Sequence, residues 1–224
     1  LRRSKKGATF PTPLPDASYC DNWIGQNGLN LINSVPVGES WFLQVNFTGP
    51  HAPMDITQSM AELYQDEVFP LPDDDKLPAE THQAIRRNYA AMIENIDRWI
   101  GLYLEVLEKR GDLSNTLIVF SSDHGEMLGD HGRWGKGDPY HPSVSVPLVV
   151  SGPKVEQQIV STLPTTILDL TATFLEYANL KIPTEMDSRS LKPLLEAQTN
   201  VHRNYVFSGL KKWRMVYDGR YKLI

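Results

Sequence analysis

The feature that most restricts the fold of this chain is a run of apolar residues beginning just after Glu80. Ile85, Tyr89, Met92, Ile93, Ile96, Trp99, Ile100, Tyr103, Leu104 and Leu107 recur at steps of three and four. That spacing lays them along one stripe of a long amphipathic α-helix, and Gly111 is well placed to terminate it.

The segments around this helix decide the class. Upstream, Trp41–Phe47 is aromatic and β-branched and is closed by Thr48-Gly49-Pro50, which predicts a mostly buried strand. Downstream, Thr116–Phe120 is a short continuous apolar run that reads as a buried parallel strand, and Pro147–Gly152 is a third candidate. Pro164 opens a further helix through Ile167, Leu168, Thr171, Phe174, Leu175 and Ala178. Asp218-Gly219, between Trp213–Tyr217 and Arg220–Ile224, is the signal for a two-residue hairpin turn.

This order predicts an α/β fold with a mostly parallel sheet flanked by helices, followed by the start of a small antiparallel C-terminal subdomain. Residues 1–38, rich in Pro, Gly, Asn and Asp, read as an irregular segment, residues 39–200 as the α/β domain and 201–224 as the antiparallel part. The acidic run Asp73-Asp74-Asp75 reads as a solvated loop.

Composition narrows the function. With 41% hydrophobic and 22% charged residues, the 224-residue chain can build a sizeable core. A net charge of −5 gives no overall pull toward nucleic acid, so an anionic ligand must be held by a local cluster of donors. Cys20 is the only cysteine, which excludes an internal disulfide framework and a cysteine-based zinc cluster. No apolar run is long enough to span a bilayer, and the basic start Leu1–Gly7 lacks the apolar stretch of a signal peptide, which leaves the compartment open.

In an open α/β sheet, ligands bind beyond the carboxyl ends of the strands. His51 follows the first predicted strand and Asp123-His124 the second, so both are expected at one edge. A carboxylate beside an imidazole at the end of a rigid strand can put oxygen and nitrogen ligands on one divalent cation. The same pair serves equally as a turn whose Asp bonds nearby backbone N–H groups. Lys136, between Gly135 and Gly137, can act as a point charge on an oxyanion, although an exposed lysine is often simply solvated. His131 and His141 in the same loop are weaker candidates.

The stretch Asn115–Gly132, with its Ser122-Asp123-His124-Gly125 turn, then Trp134-Gly135-Lys136 and Val146-Pro147-Leu148, resembles bacterial sulfatases of the choline-sulfatase and arylsulfatase kind. The helix carrying Met92–Asp97 is similar to the helix before that strand in those enzymes. Phe47–Met54 resembles their upstream histidine loop, and Arg189-Ser190-Leu191 and Arg220–Ile224 also fit the pattern. The resemblance implies a partial alkaline-phosphatase-like sandwich, sulfate-ester hydrolysis, and Asp123 and His124 as ligands of Ca2+ or Mg2+. It makes Lys136 and His51 sulfate contacts, either of which could protonate the leaving alkoxide. It also implies a sulfate ester or sulfated glycan as substrate.

The family's nucleophile is a formylglycine made within a Cys/Ser-x-Pro/Ala-x-Arg motif, and no such motif occurs among these residues. Cys20 is followed by Asp21-Asn22-Trp23-Ile24. A chain truncated at both ends is therefore expected, with weak or absent metal binding, no turnover by itself, and an exposed sheet edge that invites oligomerisation. Two other readings stay open: a phosphonate monoester or phosphodiester hydrolase of the same superfamily, and a non-catalytic binding module. The sequon Asn46-Phe47-Thr48 lies within a predicted buried strand and reads as coincidence.

Overall fold

A computed structural model of the chain describes residues 9–73 and 76–224. The basic start Leu1–Gly7 and the acidic residues Asp74 and Asp75 lie outside the described residues. The chain divides into two compact units: one runs to Leu113 and includes Leu128–Trp134, and the other comprises Ser114–Met127 and Gly135–Ile224. These boundaries differ from the predicted 39–200 and 201–224.

The first unit begins with β1 (Thr9–Pro11), a 3-10 turn at Asp16–Ser18 and helix α1 (Cys20–Ser34). The 1–38 segment is thus not irregular: it holds a 15-residue helix. Its Gly and Asn content speaks against helix by intrinsic propensity. Fit to the long helix overrides that: a Cβ on Gly25 would stand 2.1 Å from Trp99 Cδ2, and one on Gly28 would stand 2.3 Å from the Tyr103 hydroxyl. The glycines are what let the two helices close. Trp99 Nε1 donates to Asn22 Oδ1 at 2.8 Å and the Tyr103 hydroxyl to the Gly25 carbonyl at 3.0 Å, so both aromatic rings keep a polar partner on α1.

Trp41–Phe47 pairs with no strand among the described residues. Its odd-numbered positions are half-buried and Phe42, Gln44 and Asn46 are exposed, which is the alternation of a segment packed on one face rather than a buried strand. The sequon asparagine is therefore at the surface. The chain then forms β2 (Met54–Ile56), parallel to β1, and the short helix α2 (Gln58–Leu63).

Helix α3 (Ala79–Arg110) is the long amphipathic element predicted. Ile85, Ala91, Met92, Ile96, Trp99 and Leu107 are buried on it, and with Tyr19, Met54, Ile56 and Met60 they supply the apolar centre of the unit. Each large side chain so buried contributes on the order of 2 kcal/mol. Gly111, at φ 75°, ends the helix: its N–H bonds the Glu108 carbonyl, and the Asp112 N–H reaches back to Leu107 at 2.9 Å.

In the second unit, β3 (Ile118–Ser121) is followed by a loop containing the single-turn helix α4 (His141–Val144), and then by β4 (Leu148–Ser151). The two strands pair antiparallel, Ile118 opposite Ser151 and Ser121 opposite Leu148, where parallel strands were expected. A parallel return needs a crossover that carries the chain to the other end of the sheet. Here the loop leaves and re-enters at one end, so both of its feet lie at the Ser121–Leu148 rung. Phe120 is 40% and Val149 60% exposed, so neither strand is fully buried.

Helix α5 (Asp169–Tyr177) starts later than Pro164 suggested, and the short α6 (Lys192–Leu195) follows. Asp169, fully buried, ties this region together. Its carboxylate accepts from Arg203 Nε at 2.9 Å, from the Arg203 Nη2 group, from His202 Nε2 at 2.9 Å and from the Arg189 N–H at 2.9 Å. Burial pushes this carboxyl up, but the bonds from His202 and Arg203 outweigh it and hold the group well below the usual carboxylate range.

The chain closes with an antiparallel sheet of β5 (Val206–Leu210), β6 (Trp213–Tyr217) and β7 (Lys222–Leu223), as expected for the C-terminal part. The β6–β7 turn holds four residues, not two, because Asp218 Oδ1 caps the N–H groups of Arg220 and Tyr221 at 2.8 and 2.6 Å.

Candidate active site

Ser122-Asp123-His124-Gly125 follows β3 directly. The Ser122 hydroxyl donates to the His124 carbonyl at 2.8 Å, and Asp123 Oδ1 accepts the His124 N–H at 2.9 Å, so the turn is braced from within. Gly125 abuts the α4 turn. Its N–H donates to the Ser143 carbonyl at 2.9 Å, and a Cβ there would lie 1.9 Å from the Pro142 carbonyl oxygen, so no other residue fits.

The bracing accounts for one Asp123 oxygen and leaves the other beside the histidine. Asp123 Oδ2 stands 3.4 Å from His124 Nε2, with the aspartate side chain 83% and the histidine side chain 34% exposed. His124 Nδ1 lies 2.9 Å from the Gly125 carbonyl, which can only accept, so Nδ1 carries the proton. In the neutral ring, Nε2 is then a lone pair facing a carboxylate oxygen. Two acceptors at that distance are held favourably only by a proton or a cation between them. One carboxylate oxygen and one imidazole nitrogen could serve as part of the ligand set of a divalent cation. Among the described residues no cluster of three or more His, Cys, Asp or Glu side chains forms a fuller ligand set.

Lys136 belongs to the same unit and is fixed through its neighbours. The Gly135 N–H donates to Glu126 Oε1 at 2.5 Å, and the Gly135 carbonyl accepts from the Met127 N–H at 2.9 Å. On the other side, Ser143 Oγ accepts from the Gly137 N–H at 3.3 Å and Trp213 Nε1 donates to the Gly137 carbonyl at 2.7 Å. Gly135 and Gly137 have φ values of 76° and 109°, so the lysine sits between two left-handed residues, the first tied to the Glu126–Met127 segment and the second to α4 and to Trp213. The remaining loop histidines do other work. His131 pairs with Asp73, its Nδ1 3.1 Å from Oδ2, and the bond from its N–H draws the Asp73 carboxyl down; exposed His141 opens α4.

His51 lies in the first unit and is exposed. Its Nδ1 stands 2.5 Å from the Ala52 carbonyl, which makes Nδ1 the protonated nitrogen and Nε2 the one that can exchange a proton. The loop is anchored by a residue the sequence did not single out. Asp21, 1% exposed in the first turn of α1, accepts from the Thr48 N–H at 2.7 Å, the Thr48 hydroxyl at 2.8 Å and the Gly49 N–H at 3.1 Å. A carboxylate near a helix N-terminus that gathers three donors is a strong local anchor. Nothing in local spacing links it to residues so far along the chain.

Known proteins extend this picture. A family model described as sulfatase matches residues 3–180. An arylsulfatase of Clostridium perfringens is 30% identical over 214 residues, which make up 83% of this chain and 44% of that protein. An N-acetylglucosamine-6-O-sulfatase of Bacteroides thetaiotaomicron is 37% identical over 116 residues, 51% of this chain and 21% of its own length. Among solved structures, a phosphonate monoester hydrolase from Silicibacter pomeroyi superposes with a TM-score of 0.83 at 24% identity, covering 93% of this chain and 52% of the other. At that identity the likeness speaks for the α/β fold alone. The chain spans less than half the length of these two curated relatives. Because the family match runs through the helix, the Asp-His turn and the Lys136 loop alike, this chain belongs to the sulfatase family.

Proposed function

We propose that the chain carries the Asp-His and lysine part of the site of a sulfuric ester hydrolase, acting on the sulfate ester of an aryl or sugar alcohol such as the relatives' names describe. The observation that carries the reading is the Asp123–His124 pair at the end of β3, whose Oδ2 and Nε2 atoms face each other at 3.4 Å.

Asp123 and His124 would hold the ion. A divalent cation bound there supplies fixed positive charge close to the sulfuryl oxygens, where negative charge builds in the transition state. Lys136 adds a second positive charge whose backbone is already placed, so little reorganisation is needed when the ester reacts. His51 Nε2 is the ring nitrogen able to exchange a proton with the departing oxygen, because Nδ1–H is engaged by the Ala52 carbonyl. The 224 residues include no Cys/Ser-x-Pro/Ala-x-Arg motif, and the chain alone is expected to show no turnover.

The full-length gene product, given a nitrophenyl sulfate and the matched nitrophenyl phosphonate monoester with calcium or magnesium present, is expected to prefer the sulfate. A strong preference for the phosphonate would overturn this reading in favour of a phosphonate hydrolase. Hydrolysis of neither would favour a binding module.

A further inference from the structure

Lys136 stands between Gly135 and Gly137, and a glycine backbone loses the most freedom when it is fixed, so the lysine's place depends on ties made from outside its own segment. Before the lysine those ties are close in sequence: Glu126 and Met127 bond the N–H and the carbonyl of Gly135. After it the near tie is a long one, since the Gly137 N–H reaches Ser143 Oγ at 3.3 Å, past the usual span of an N–H···O bond. The short tie comes from far along the chain: Trp213, which opens β6, donates its indole N–H to the Gly137 carbonyl at 2.7 Å.

The other two strands of the same sheet also reach this segment. Leu210, which ends β5 and pairs with Trp213 across the hairpin, brings Cδ2 to 3.6 Å from where a Cβ on Gly137 would lie. Lys222 of β7 donates its ammonium to the Pro139 carbonyl. So β5, β6 and β7 each give one side chain to residues 137–139. The indole is carried on a hydrogen-bonded ladder rather than on a loop, which is a rigid support. Packing would need only the ring; the N–H is a directed donor, and its acceptor is the residue that follows the lysine.

From these contacts we infer that Trp213 is a positioning residue for Lys136, through which the C-terminal sheet sets the geometry of the proposed sulfate site. With the indole in place, both the N–H and the carbonyl of Gly137 are bonded, so both peptide planes of that residue are fixed. Without it the long Ser143 bond remains, and a glycine can relax from φ 109° into many other conformations. Given Lys136 as a sulfate contact, the reading on which this role rests, a shift of about 1 Å draws the ammonium away from the oxygens it would neutralise, and a displacement of that size can cost on the order of a hundredfold in rate.

The test is a double-mutant cycle in the full-length gene product, read on nitrophenyl sulfate with calcium or magnesium present. Trp213→Phe keeps an aromatic ring on β6 and removes the N–H; Lys136→Met removes the ammonium. Trp213→Phe should lower kcat/KM at least about fivefold beside the native lysine and less than about twofold beside Lys136→Met, because a residue that acts through the lysine then has nothing left to place. Equal losses in both backgrounds, as a merely structural tryptophan would give, or no loss in either, would overturn the positioning role. Unchanged turnover in Lys136→Met alone is a different failure, that of the lysine as a sulfate contact, and it takes this role with it. Amide exchange followed by mass spectrometry in the same protein gives a readout apart from turnover. Trp213→Phe should speed exchange at least about tenfold across residues 135–138 and leave β3 unchanged. Lys222→Met, at an exposed position, should do the same to a smaller extent. Unaltered exchange at 135–138 in both variants would also overturn the role.

Discussion

Replacing Asp169 by Asn keeps the shape of the side chain and removes the charge on which Arg203, His202 and the Arg189 N–H converge. The side chains of Asp169, His202 and Arg203 are 0%, 5% and 14% exposed, so little water is available to replace what is lost. Removing one partner of a buried, hydrogen-bonded pair costs about 3–5 kcal/mol, mostly because the other charge is left unpaired. With a urea dependence of about 2 kcal/mol per molar, the unfolding midpoint should fall by roughly 1.5–2.5 M. The pH dependence gives a second handle. The folded carboxyl lies far below its unfolded value of 3.8, so the contribution is present in full above that value and is lost as pH falls below it toward the folded value. The gap between wild type and Asp169→Asn should therefore narrow below about pH 4. A loss under about 0.5 kcal/mol at neutral pH, the usual scatter of surface changes, would refute the hub, as would a gap that widens on acidification.

Three further outcomes follow from geometry. Gly25→Ala should destabilise the first unit by about 1–3 kcal/mol through overpacking against Trp99, measured by thermal unfolding, whereas Gly101→Ala, with no atom within 4 Å of its Cβ position, should be neutral or stabilising. Asp21→Ala removes the acceptor of three donors around Thr48 and Gly49, and a cost of about 2–4 kcal/mol with faster amide exchange at those two residues is expected. In the full-length gene product, Asp123→Asn should weaken calcium binding, read by isothermal titration, by at least about tenfold, because it removes the charged member of the pair; unchanged affinity would mean that the ion sits elsewhere.

What could be read in advance follows from the range of the interactions involved. Helix α3 and its end at Gly111 are encoded locally, by a repeat of three and four and by one backbone conformation. The apolar run that becomes β3, and the Asp-His pair behind it, are local too. Helix α1 is not: its Asn and Gly residues argue for a loop until Trp99 and Tyr103 are in place to need the space. The direction of β4 depends on where a loop returns, which composition does not encode. Asp21 and Asp169 escaped for the same reason, since each is defined by partners far along the chain.

The fit of Gly25 and Gly28 against Trp99 and Tyr103 also bears on how such a chain can change over generations. Enlarging position 25 before position 99 shrinks creates a clash, and shrinking position 99 first opens a void, so either order passes through a less stable ancestor. Drift at these two helices should then be slow and correlated, with residue size at 25 and 28 inversely tracking residue size at 99 and 103 across descendants.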